Sequence, residues 1–138
     1  MRIGIISQAR VNSSRLPNKI FLEAKGKPFL EYHVQRLQKT GIPVYIATTD
    51  DGSEAPIVNF CLDRELPCFR GSEQDVLARF YHCASHYQLD TIIRVTSDCP
   101  LIDPQIITGG LAFYNEGSQG TYCSNALKRT FPRGMDFE

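Results

Sequence analysis

Residues 3–19, IGIISQARVNSSRLPNK, are the stretch on which the fold turns. Residues 3–6 form a short apolar run rich in isoleucine, the pattern of a strand buried on both faces. From Ser7 the chain becomes polar, and Arg10, Arg15 and Lys19 stand among hydroxyls and amides without one acid. Asn12, Ser13, Ser14 and Pro17 break any helical stripe, so the three cations sit on a loop leaving the carboxyl end of the first strand. Open α/β sheets bind ligands at that edge. A cationic loop there selects an anion, and the Arg forks match phosphate oxygens in bidentate fashion.

Working outward, strands and helices alternate. Residues 28–39 carry Phe29, Leu30, Val34 and Leu37 at helical spacing, with Pro28 at the first helical position and Gly41 past the end. A strand at 44–48 and a turn at 49–53 lead to a helix over 54–65, for which Ser53 is the expected N-cap. A brief strand at 66–69 precedes a polar loop, Arg70-Gly71-Ser72. Ser72 and Asp75 then suggest a capped helix running to about 87, whose Phe80, Tyr81 and Tyr87 read as core packing. Residues 91–96 are a strand, 97–100 a turn, and 104–114 a helix with Asp103 as N-cap. A further strand is expected at 121–124, and 126–138 show no assignable pattern. This rhythm is that of an α/β protein with a mainly parallel sheet.

The chain has 138 residues and no net charge, which suits one compact domain, with no nucleic acid and no membrane as partner, and a sheet of four or five parallel strands can stand alone as a nucleotide-binding domain. The charge is uneven: the first thirty residues hold six Lys/Arg against Glu23 alone. Five cysteines, odd in number and without a CxxC pair, read as reduced cytoplasmic thiols. His33, His82 and His86 are not matched with them at zinc spacing. The opening MRIGIIS is too short an apolar run for a signal peptide, and the closing RTFPRGMDFE lacks a cap or tail. The expectation is a cytoplasmic chain, read as the N-terminal part of a longer protein.

Two common phosphate-binding plans are missing. No GxGxxG follows the first strand, and Gly26-Lys27 is followed by Pro28, which has no hydroxyl for Mg²⁺. Phosphate recognition therefore falls to side-chain cations and loop amides. Asp98, after the strand at 91–96, is either a Mg²⁺ ligand facing that loop or a turn residue before Cys99-Pro100.

The motifs QARVNSSRLPNK, GKPFLEYHVQRL, IATTDD, FRGSEQDVLARFY, RVTSDCPLIDP and RTFPRGMDFE, in this order, resemble the cytidylyltransferase family of spore-coat polysaccharide biosynthesis protein F (SpsF). That family is related to acylneuraminate (CMP-sialic acid) and CMP-Kdo synthetases. The resemblance implies a three-layer α/β/α sandwich of the nucleotide-diphosphosugar-transferase, glycosyltransferase-A-like type, and a homodimer. It implies a Mg²⁺-dependent transfer of CMP from CTP to a sugar hydroxyl, with release of pyrophosphate. By the same resemblance Gln8, Ala9 and Arg10 approach the nucleotide, while Arg15 and Lys19 hold the triphosphate. Ala47, Thr48 and Asp50 border the base, and Arg70, Gly71 and Ser72 complete the nucleotide pocket with Asp75 nearby. Thr96 and Ser97 line the path to the sugar, and Asp98 is the metal ligand. Arg10, Arg15, Lys19 and Asp98 form the expected catalytic set. Related enzymes also carry a second, late acidic metal motif, and Asp136 and Glu138 are the late acids near a motif here. A glycosyltransferase of similar fold would show DxD where this chain has Ser97-Asp98-Cys99; a non-catalytic nucleotide-binding domain is the other alternative.

Overall fold

The computed structural model describes residues 1–117 and 122–138. Its elements are β1 (Ile3–Gln8), a 3₁₀ turn (Lys19–Phe21), β2 (Glu23–Ala24), β3 (Lys27–Pro28), α1 (Phe29–Gln38), β4 (Val44–Thr49) and α2 (Ala55–Leu62), then β5 (Cys68–Gly71), α3 (Val76–His86), β6 (Thr91–Thr96) and α4 (Pro104–Glu116). Four strands form one parallel sheet in the order β5-β4-β1-β6. β2 and β3 make a separate hairpin whose turn residues, Lys25 and Gly26, both have positive φ. Such two-residue turns match the twist of paired strands, and Gly26 makes the second position cheap. Gly26-Lys27 is thus hairpin chemistry.

Strand periodicity sets the layers. Ile5, Val44, Ile46, Ile93 and Val95 face α1, α2 and α4 through Leu30, Val34, Leu37, Ile57, Phe60 and Ile107. Ile6, Tyr45 and Ala47 point the other way, against Phe80 and Cys83 of α3. Three layers, α/β/α, follow from this alternation. β1 and β6 are neighbours in the sheet, and the loops that leave their carboxyl ends flank one crevice, at the sheet edge where open α/β folds bind ligands.

The stretch without pattern is held by a few specific contacts. Phe137 is buried against the ring-free surface of Gly110 in α4, and Asn125 receives the Phe137 amide at 3.0 Å while donating to the Met135 carbonyl at 2.8 Å. The backbones of Arg94 and Glu138 exchange hydrogen bonds of 2.7 and 3.1 Å, so the chain's last residue lies beside β6.

Several expected boundaries move. β1 runs two residues further, to Gln8, and β5 is shifted to Cys68–Gly71, so Arg70 and Gly71 are strand and not loop. Glu54, not Ser53, precedes α2; the Ser53 hydroxyl and amide both turn back to Asp51 Oδ1. Asp75 caps α3 by accepting from the Ala78 amide, and Ser72 instead accepts from the Asp75 amide. Asp103 caps α4 as expected. Of the strand expected at 121–124, Thr121 lies outside the described residues and 122–124 form no strand.

Candidate functional site

The crevice between the ends of β1 and β6 is lined by Gln8, Ala9, Arg10, Ser13, Ser14, Arg15, Lys19, Ile20, Thr96 and Asp98. Its lining is mainly polar and cationic. The loop over 9–19 is closed by the Asn18 amide on the Val11 carbonyl at 3.0 Å, with Asn18 itself in the left-handed conformation that Asn tolerates. Asn12 ties this loop to the next strand end by donating to Asp51 Oδ2 at 3.3 Å. Arg10 and Arg15 are exposed and form no ion pair among the described residues.

Lys19 Nζ lies 2.6 Å from Asp98 Oδ2, across the crevice, with both side chains partly exposed. Partial burial pushes the Asp98 carboxyl up, but the Lys19 hydrogen bond and charge, together with Thr96 and the aspartate's own amide, outweigh it and hold Asp98 below the usual carboxylate value. At neutral pH the site therefore presents an ionised carboxylate among three cations.

The turn bearing Asp98 is fixed from beneath by a buried polar chain that the sequence reading did not identify. His33 Nδ1 is 2.9 Å from the Cys99 carbonyl, His33 Nε2 is 2.8 Å from Ser7 Oγ, and Ser7 Oγ is 2.7 Å from Ser97 Oγ. A carbonyl only accepts, so Nδ1 carries the proton and Nε2 accepts from Ser7. Ser7 must then accept from the Ser97 hydroxyl. Burial lowers the His33 pKa most, against smaller raising effects from the Cys99 carbonyl and Asp98, which suits a neutral ring. The Ser97 amide also donates to the Gln8 carbonyl at 2.9 Å, pinning β6 to β1. Ser97, expected on the path to the sugar, is buried and is not among the residues lining the crevice. Thr96 does face the crevice.

The residues expected around the base do not gather in the same crevice. Ala47 and Thr48 are fully buried within β4, and Thr48 Oγ1 has no hydrogen-bond partner among the described residues. Asp50 is exposed just beyond that strand. Arg70 pairs with the largely buried Glu54 at 3.2 Å, Gly71 ends β5, and Ser72 serves the turn before α3. Asp136 pairs with Arg129 at 2.8 Å, and Glu138 with Arg94. Larger hollows between α4 and residues 122–138 are mostly apolar and have no cation in their lining, so they do not suit a polyanion.

Asp98 supplies a hard oxygen donor at the crevice, and no group of three or more His, Cys, Asp and Glu gathers anywhere among the described residues. That donor set fits Mg²⁺ held in the usual sparing way, by one carboxylate plus phosphate oxygens and water, better than a metal caged by protein alone.

A family model described as cytidylyltransferase matches residues 3–131. An uncharacterized protein of Methanocaldococcus jannaschii is 41% identical over 107 residues, 76% of this chain and 44% of that protein. Spore coat polysaccharide biosynthesis protein SpsF of Bacillus subtilis is 34% identical over 131 residues, 90% of this chain and 55% of that protein. The solved structure of a cytidylyltransferase from Leptospira borgpetersenii matches with a TM-score of 0.92 at 34% identity, covering 99% of this chain and 59% of that one. The chain spans about half the length of the curated relatives it matches.

Proposed function

We propose, from the premise that this chain belongs to the cytidylyltransferase family, that its crevice binds CTP and serves transfer of CMP to a sugar hydroxyl with release of pyrophosphate. The observation that carries the reading is the meeting of Lys19 and Asp98 in a cation-lined crevice at the carboxyl ends of β1 and β6. The setting proposed is surface polysaccharide biosynthesis, spore coat included, by a cytoplasmic homodimer; the name of the Bacillus subtilis relative supports the biosynthetic part. No helix among the described residues is long and apolar enough to cross a membrane.

In this reading Arg10 and Arg15, which form no ion pair among the described residues, grip the β- and γ-phosphates. Ser13 and Ser14 add hydroxyl donors from the same loop. Asp98 would hold Mg²⁺ together with the triphosphate, and the ion would there offset charge on the pyrophosphate leaving group. Lys19 then exchanges its aspartate for phosphate oxygens, moving a positive charge to where negative charge develops. Attack by the sugar oxygen in line on the α-phosphorus breaks the bond to the β-phosphate bridge. Catalysis here is positioning and electrostatics, with the loop fixed by Asn12 and the Asp98 turn fixed by Ser7, Ser97 and His33.

The test is pyrophosphate release by the full-length protein, with each nucleoside triphosphate offered against a panel of sugars. CTP-specific release with at least one sugar is expected. Release with another triphosphate but none with CTP would overturn the nucleotide assignment.

A further inference from the structure

Two of the five cysteines meet at one edge of the sheet. Cys61 lies near the end of α2, and Cys68 opens the edge strand β5. Between them the chain reverses. The Arg64 and Leu66 amides both donate to the Cys61 carbonyl, at 3.2 and 2.9 Å, and the Ile46 amide donates to the Pro67 carbonyl at 2.9 Å. Cys68 thereby stands opposite Ile46 in the sheet register. Both side chains join the apolar cluster around Ile46, Ile57 and Phe60, with Cys61 buried inside it and Cys68 partly exposed against it. There the two thiols are hydrogen-bonded to each other.

The pair is asymmetric. Cys61 donates its S–H, and that bond, followed by burial, pushes its pKa up. The same bond lowers the Cys68 pKa, and the nearby Arg70 adds to this against burial and Glu54. Thiolate is the attacking form, so the more accessible Cys68 is the nucleophile, and Cys61 is held beside the sulfur that it would attack next. An accessible, low-pKa thiol poised next to a resolving one is the plan of a redox-sensing dithiol. Two of the other cysteines are less suited to attack: Cys83 is fully buried, which pushes its pKa up to about 12, and burial likewise raises that of Cys99.

We propose that Cys68 and Cys61 form a reversible redox site, an attacking and a resolving thiol that close into an intramolecular disulfide on meeting a low-molecular-weight disulfide. The Cys68 thiolate attacks one sulfur of RS–SR; the S–S bond breaks, and the departing thiolate takes up a proton. Cys61 then gives up its proton, attacks the Cys68 sulfur of the mixed disulfide and expels the second RS⁻, which leaves as RSH. The chain's two thiols are oxidised, and RS–SR is reduced to two thiols. The link joins the end of α2 to the first residue of β5, the strand that also carries Arg70 and Gly71. In a reducing compartment disulfides are transient, and a redox-sensing role is the usual one.

The experiment incubates the reduced chain with oxidised glutathione at neutral pH, blocks the remaining thiols with N-ethylmaleimide in acidic denaturant, and maps tryptic peptides by mass before and after dithiothreitol. Arg64 lies between the two cysteines, so trypsin separates them unless they are linked. A linked pair of peptides bearing Cys61 and Cys68, no retained glutathione, and return of all five thiols on reduction are expected. Cys61→Ser should stop at the mixed disulfide and keep one glutathione on Cys68. Cys68→Ser should slow thiol loss at least tenfold. The wild-type map decides the matter if either variant does not fold. Five blocked cysteines in the wild type, glutathione held on Cys68 with Cys61 free, or a disulfide through Cys99 or Cys123 in place of this pair would each overturn the proposal.

Discussion

His33 shows how one residue can hold up a site without lining it. It is fully buried, its Nε2 accepts a hydrogen bond from the Ser7 hydroxyl, and its Nδ1–H donates one to the Cys99 carbonyl beside Asp98. Its pKa is lowered chiefly by burial from the ordinary 6.5, so between those two values the unfolded chain binds a proton that the folded chain does not. Stability must then fall as pH drops below about 6.5 and must rise again toward neutrality. Melting temperatures from pH 5 to 7.5 should show this acid loss in the wild type and a shallower one in His33→Gln; parallel curves would contradict it. The loop cations and the strand-end position of Asp98 were legible because polar residues follow an apolar run, although spacing alone left Asp98 open between metal ligand and turn residue. His33 was not, since it occupies a helical position that periodicity assigns to the core. Its signal was a mismatch between polarity and expected burial, beside Leu30, Val34 and Leu37.

At the scale of elements, α4 offers the sharpest contrast, in two adjacent glycines. A Cβ at Gly110 would fall 2.1 Å from the Phe137 ring, while one at Gly109 would meet nothing within 4 Å. Gly110→Ala should therefore destabilise the fold by about 1–3 kcal/mol through overpacking. Gly109→Ala should stabilise it by up to about 1 kcal/mol, because alanine loses less backbone freedom in a helix. Chemical denaturation of the two variants checks both signs, and two shifts in the same direction would contradict the packing of Phe137 on α4. The regular elements were readable because their periods are local: β6 and the start of α4 fall where hydrophobic spacing and the Asp103 cap put them. The C-terminal segment was not readable, because Phe137 acts through its packing on α4 and the Asn125 side chain through the backbones of Met135 and Phe137, contacts that no local period encodes. β5 slipped for a related reason: Leu66 is the more hydrophobic end of that run, but pairing with Ile46 through Thr49 sets the strand at Cys68–Gly71.

For the whole molecule, sheet order positions the site. The order β5-β4-β1-β6 makes β1 and β6 neighbours, and the loops leaving their carboxyl ends bring Arg10, Arg15, Lys19, Thr96 and Asp98 around one crevice. The expected base residues at 47–50 and 70–72 lie along the neighbouring strand ends, so a nucleotide reaching both would stretch from the crevice past Arg10 toward β4 and β5. The most direct test is a backbone amide NMR titration of the isotope-labelled chain with CTP and Mg²⁺, alongside Arg15→Ala. The first amides to shift should be those of residues 8–19 and 96–99, and Arg15→Ala should weaken binding at least tenfold without changing the rest of the spectrum. Shifts confined to α4 and residues 122–138, or unchanged affinity in Arg15→Ala, would contradict it.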